Sequence, residues 1–164
     1  MIGYRHLPAL ALALALAGAP AAVASPRAFV SGSYADLLDQ YTDQPFVLSF
    51  WSLDCPPCYR ELALWGELQG KGTVFPLVLV STDTPADAAE IDALLARNGL
   101  QDVESWVFAA PAQQLRFEID RRWQGELPRT YLVERGVIVD AATGVIDAVR
   151  LQAWTTRFGD RPRF

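Results

Sequence analysis

The chain has 164 residues, with 19 acidic against 14 basic side chains, a formal charge of −5 and two cysteines. Apart from Lys71 its positive charge is all arginine, scattered rather than clustered, which argues against nucleic acid or an anionic membrane surface as a partner. Its single histidine, His6, falls in an apolar leader, so chemistry that needs a histidine ligand or base is excluded from the rest.

Residues 1–24 read as a cleaved secretory signal. Arg5 and His6 give a charged start, an Ala/Leu run follows, Gly18 and Pro20 break it, and Ala22-Val23-Ala24 has the small-x-small form of a cleavage site. The competing reading is an uncleaved membrane anchor, although the run is shorter than the roughly 20 residues a spanning helix needs. Residues 25–164 are then one domain of about 140 residues with a single core. Its expected location is periplasmic or otherwise extracytoplasmic, in a bacterium, where disulfides persist.

Phe29-Val30 reads as an edge strand. Ser33-Tyr34-Ala35-Asp36 has the form of a capping box with Asp in place of Glu, opening a helix with Tyr34, Leu37, Leu38 and Tyr41 on one face. Gln44-Pro45 ends it. Residues 46–51, Phe-Val-Leu-Ser-Phe-Trp, are short, apolar and aromatic, as expected of a central strand covered on both faces. Both cysteines follow, in Cys55-Pro56-Pro57-Cys58, and Pro57 suits a first helical turn, where a missing N–H costs nothing. Leu62, Trp65 and Leu68 then form one stripe of a helix ending at Gly70-Lys71-Gly72. Residues 74–81 are the next strand, and strand, helix, strand is the order of a right-handed parallel unit.

Thr84-Pro85 opens a helix to about Arg97, with Ile91, Leu94 and Leu95 inward and Asn98-Gly99 as its stop. A strand over 103–108 and a short helix over 112–120 follow; Leu115, Phe117 and Ile119 leave the helix's period ambiguous. After Leu127-Pro128, residues 130–133 and 137–139 form a hairpin about Glu134-Arg135-Gly136, the glycine supplying positive φ. Residues 145–158 close the chain as a helix with Ile146, Val149, Trp154 and Phe158 toward the sheet.

A C-x-x-C at a strand-to-helix junction is compatible with a redox couple, a metal pair or a structural staple. A staple across so short a loop removes little entropy from the unfolded chain. A metal site usually wants further Cys or His ligands, which residues 25–164 do not hold, so no metal is expected.

Several stretches together resemble the thioredoxin fold and, more narrowly, the exported TlpA/ResA-type thiol-disulfide oxidoreductases. They are Pro45 to Trp51 leading into Cys55-Pro56-Pro57-Cys58, Glu61 three residues after Cys58, Val80-Ser81-Thr82-Asp83, and Leu127-Pro128 before Thr130-Tyr131-Leu132-Val133. The interval from Asp83 to Pro128 exceeds what plain thioredoxin needs and is similar to that group's central insertion. The resemblance implies an α/β thioredoxin-like fold, a central mixed β-sheet flanked by helices, with that insertion. It also implies an extracytoplasmic protein-disulfide reductase with no cofactor beyond a redox-active disulfide between Cys55 and Cys58. Its substrates would be protein disulfides, apocytochrome thiols of cytochrome c maturation among them, and a membrane electron-donor protein would feed it. A monomer is expected.

Cys55, at the mouth of the helix where the macrodipole favours negative charge, is the expected attacking thiol, and Cys58 the resolving one. Neither proline has an N–H, so within the ring Cys58 offers the one backbone donor to the Cys55 sulfur beyond its own residue; thiolate stabilisation should be modest, and Asp54 pushes the same way. Glu61 shares a helix side with Cys58 and is placed to accept its proton; the competing reading is a solvated acid in a first helical turn. Pro128 matches the family's cis-proline, which would present the Leu127 backbone beside Cys55 to an extended substrate segment. Trp51 and Trp123 are core or site-wall residues, Trp51 being assigned to substrate binding.

Three positions depart from the family pattern. Ser49 replaces thioredoxin's buried acid, Asp54 replaces Trp, and Arg129 stands where Thr is more usual, either solvated or paired with an acidic substrate. Two other functions compete: an exported thiol metal-binding chaperone, and a redox-inactive thioredoxin-like docking protein.

Overall fold

The computed structural model describes residues 26–72 and 76–159. The expected signal, 1–24, lies outside them, as do residues 74 and 75 of the strand expected over 74–81. Six strands and five α-helices alternate along the described chain: β1 (Arg27–Phe29), α1 (Ser33–Gln40), β2 (Phe46–Trp51), α2 (Pro56–Gly70), β3 (Leu77–Ser81), α3 (Ala88–Arg97), β4 (Glu104–Phe108), α4 (Ala112–Ile119), β5 (Arg129–Glu134), β6 (Val137–Thr143) and α5 (Ala148–Gly159).

The strands form one sheet in the order β1-β4-β3-β2-β5-β6. Pairs β1/β4, β4/β3 and β3/β2 are parallel, whereas β2/β5 and β5/β6 are antiparallel, so the sheet is mixed. The long interval before Pro128 builds a second parallel unit, β3-α3-β4, and its strand separates β3 from the edge strand β1.

Strand alternation sends successive side chains to opposite faces, and each face is covered. Val47, Ser49 and Trp51 point to the layer of α2, α3 and α5, where Leu62, Trp65, Ile91, Leu95 and Trp154 are buried. Phe46, Leu48 and Phe50 point the other way, to α1 and α4, in a cluster rich in rings: Phe29, Trp106, Phe108, Trp123 and Tyr131. Every residue of β2 is buried, which is why its sequence shows no polar alternation.

Two local expectations are corrected, at the start of α1 and on α5. Helix α1 is not opened by a Ser33 capping box: Gly32, at φ 90°, is the N-cap, and the Ser33 hydroxyl instead accepts the Val30 N–H at 3.0 Å. A capping box does form at Thr84 and Asp87, where a 3-10 turn, Pro85–Asp87, precedes α3. The ambiguous period of α4 resolves as helical: Leu115 and Ile119, four residues apart, carry its buried stripe, and Phe117 is 57% exposed beneath the Arg121 guanidinium. Ile146 precedes α5 rather than lying on it, and Val149 is 80% exposed, leaving Trp154 as the buried anchor of that helix.

Candidate active site

Cys55 and Cys58 form a disulfide across the N-terminus of α2, with Cys55 as N-cap and Pro56 and Pro57 in the first turn. Both are buried, Cys55 at 8% exposure and Cys58 at none. The Cys58 N–H, expected to serve the Cys55 sulfur, donates to the Cys55 carbonyl at 2.9 Å as the first bond of the helix. As an N3 donor it has no i−4 partner in the helix, and here a 3-10-type i−3 bond takes it instead of the Cys55 sulfur.

The loop before Cys55 is tied from two directions. Asp83, just past β3, accepts from the Ser52 hydroxyl at 2.8 Å and from the Leu53 N–H at 2.9 Å. The Tyr59 hydroxyl, one turn into α2, donates to the Leu53 carbonyl. Both backbone groups of Leu53 are therefore satisfied, and the segment leading to Cys55 is fixed. The sequence alone gives Asp83 no such task; a carboxylate just past a buried parallel strand, at the strand ends beside the cysteine loop, is the available signal.

Glu61 is not solvated. It is 1% exposed, and its side chain lies against the β2/β5 pair inside the sheet rather than in water. Oε1 accepts from the Thr130 hydroxyl at 2.5 Å and the Ser49 hydroxyl at 3.2 Å, and Oε2 from the Ile146 N–H at 3.1 Å. Burial pushes its carboxyl above the ordinary carboxylate range, and Thr130, the Ile146 N–H, Ser49 and the Trp65 indole act against that rise. The protonated acid is thereby accessible nearer neutral pH than for a solvated glutamate.

The Leu127–Pro128 peptide bond is cis. Pro128 is buried, Leu127 packs partly against both core clusters, and the Pro128 carbonyl accepts the Gly144 N–H at 2.9 Å. Trp51 does not line an open surface. At 1% exposure it lies in the buried cluster that also contains both cysteines, away from the surface that the substrate-binding expectation needs. Trp123 is likewise buried, its indole N–H on the Glu126 carbonyl at 3.0 Å.

Arg129 is neither solvated nor free to meet a substrate acid. Its guanidinium pairs with Asp120 at 3.1 Å, donates to the Thr143 hydroxyl at 2.5 Å and lies 4.8 Å from the Tyr131 ring centroid. The pair joins the start of β5, just after Pro128, to the end of α4 and the end of β6. Among the described residues no group of three or more His, Cys, Asp or Glu side chains is placed to hold a metal ion.

No protein-family model and no curated protein matches the chain. Solved structures do resemble it. A secreted disulfide oxidoreductase of Mycobacterium tuberculosis homologous to Escherichia coli DsbE aligns at TM-score 0.56 and 15% identity over 73% of this chain and 85% of its own. A thiol:disulfide interchange protein DsbE from Chlorobium tepidum aligns at TM-score 0.52 and 22% identity over 73% and 83%. A DsbF homologue from Corynebacterium diphtheriae aligns at TM-score 0.54 and 17% identity over 73% and 75%. At these identities the likeness establishes a thioredoxin-like α/β fold.

Proposed function

We propose that this protein is an extracytoplasmic thiol-disulfide oxidoreductase of the TlpA/ResA type that reduces particular protein disulfides. The observation that carries the proposal is the Cys55–Cys58 disulfide at a helix N-terminus, with Cys55 slightly exposed and Cys58 fully buried. The structural neighbours described as disulfide oxidoreductases support it.

In the reduced protein the Cys55 thiolate attacks one sulfur of a substrate disulfide and expels the other as a thiolate, leaving a mixed disulfide. Cys58 then gives its proton to Glu61, attacks the Cys55 sulfur and releases the second substrate thiol. Two electrons pass to the substrate, and Cys55–Cys58 ends as the disulfide present here. A membrane electron-donor protein would return the pair to dithiol. The chain's role in cytochrome c maturation belongs to the same reading, as does export by the segment 1–24; among the described residues no helix is long and apolar enough to cross a membrane. The segment around cis-Pro128 would receive the substrate chain as an added strand.

A glutathione-buffered redox titration together with a Cys58→Ser trap tests the proposal. The expected results are a reversible couple toward the reducing end of the range from about −270 to −120 mV and a trapped mixed disulfide through Cys55. A potential at the oxidising end would overturn the reductase direction, and no reversible couple would overturn the enzyme.

A further inference from the structure

Ser49 and Thr130 are two hydroxyls buried in an otherwise apolar layer, at 2% and 0% exposure. They are Cα partners across the antiparallel β2/β5 pair, so register alone turns both side chains to the same face, toward α2. There Glu61 completes a triangle of oxygens. Its sides are 2.5 Å from Thr130 to Oε1, 3.2 Å from Ser49 to Oε1 and 3.0 Å between the hydroxyls, with either hydroxyl able to donate to the other.

The hydrogens decide what this triangle does. Around ionised Glu61 the two hydroxyl hydrogens suffice: Thr130 donates to Oε1, and Ser49 donates to Oε1 or to Thr130. A proton arriving on the carboxyl belongs on Oε1, because Oε2 is held as an acceptor by the Ile146 N–H. The hydroxyls then rotate, Glu61 donating to Thr130, Thr130 to Ser49 and Ser49 back toward Oε1. Both protonation states are satisfied without a heavy atom moving, since a hydroxyl donates and accepts alike. A guanidinium or a further backbone N–H in the same place would favour the anion alone.

We infer that Ser49 and Thr130 are positioning residues that set the protonation equilibrium of Glu61, so that this carboxyl both takes up and gives back a proton where it stands. The catalytic consequence rests on the role proposed above for Glu61. At Ser49 β2 carries no acid: the acid stands on α2, and the strand presents a hydroxyl to it. Burial acts to raise the Glu61 carboxyl, and both hydroxyls act against it. The groups around the carboxyl are Ser49 from β2, Thr130 from β5, the Ile146 N–H from the β6–α5 connection and Trp65 from α2 itself. The other titratable groups of this buried cluster are Cys55 and Cys58, which titrate once reduced.

The test uses the full chain in its oxidised form, so that neither thiol titrates, with glutamate side chains carboxyl-labelled with carbon-13 and the Glu61 signal assigned by Glu61→Gln. Thr130→Val, nearly isosteric, should move the Glu61 midpoint upward by about one to two pH units, the worth of a hydrogen bond to a charged group. Thr130→Ser should restore the wild-type midpoint, and Ser49→Ala should give a smaller upward shift because its contact is longer. Unmoved midpoints in folded Thr130→Val and Ser49→Ala overturn the inference, and a merely structural role would give that result along with lowered stability. Should Thr130→Val fail to fold, Ser49→Ala decides. The pH profile of mixed-disulfide resolution separates the two claims: a shifted carboxyl with an unshifted rate profile keeps the assignment of the hydroxyls and removes Glu61 from the mechanism.

Discussion

Glu61 and Arg129 are charged residues whose partners, more than their own chemistry, decide what they do. A base acts in its ionised form, and burial raises the Glu61 carboxyl, so resolution of the mixed disulfide should accelerate as pH climbs through a midpoint above the ordinary carboxylate range. Glu61→Gln keeps the side chain's size and removes the proton acceptor proposed above. Single-turnover release of a trapped substrate should slow by about 100-fold, and that rising limb should vanish from the profile. Arg129 has a different task. Its pair with Asp120 is largely withdrawn from water, at 17% and 8% side-chain exposure, so removing Arg129 leaves a buried carboxylate held by the Arg122 N–H and the exposed Arg122 guanidinium alone among its charge-stabilising partners. Arg129→Met should cost about 3 kcal/mol, seen as a lower urea midpoint at unchanged slope, and adding Asp120→Asn should recover part of the loss.

At the scale of elements, α2 matters most, since its first turn holds the disulfide and its second holds Glu61. Gly66 shows how closely it is packed. A Cβ built there would lie 1.9 Å from the Asn98 carbonyl oxygen, a backbone atom at the end of α3 that cannot swing aside as a side chain could. Gly66→Ala must therefore push α2 and the α3–β4 turn apart, although alanine is intrinsically the better helix former. Its expected cost is about 1–3 kcal/mol in chemical denaturation. A stabilised variant would show that the two segments yield freely. The hairpin obeys a simpler local rule: Arg135 at φ 51° and Gly136 at φ 74° are both left-handed, as a two-residue connection between twisted strands demands.

For the molecule as a whole, the acids on the two faces of the sheet give its stability opposite pH slopes. Glu61 has a raised folded pKa, so its contribution is full below the unfolded value of about 4.3 and declines as pH rises through the folded value. Asp120 is the reverse. Burial would raise its carboxyl, but the Arg122 N–H and the Arg129 guanidinium outweigh burial and hold it below its usual range. Its contribution is present above about pH 3.9 and is lost as pH falls through the depressed folded value. Urea denaturation over a pH series should therefore show Glu61→Gln removing a decline that begins above about pH 4.3, and Asp120→Asn removing a loss confined to more acidic solution. Interchange of these two effects would contradict the environments described for both acids.

Much of this was legible in the chain because it depends on neighbours in sequence. Apolar runs located β2 and β3, helical stripes located α2 and α3, and the cysteine spacing marked the helix mouth where the disulfide lies. Distance along the chain hid the rest. Glu61 meets Ser49 12 residues away, Thr130 69 away and the Ile146 N–H 85 away, so no local pattern could distinguish a buried, hydroxyl-held carboxyl from a solvated one. The same holds for Arg129, which read as a surface charge until sheet alternation turned it onto the face where Asp120 ends α4. Spacing, propensity and turn chemistry act over a few residues and determine which elements form. Whether a given polar group lies in water or among donors is an outcome of how those elements stack, and here the tertiary structure alone decided it.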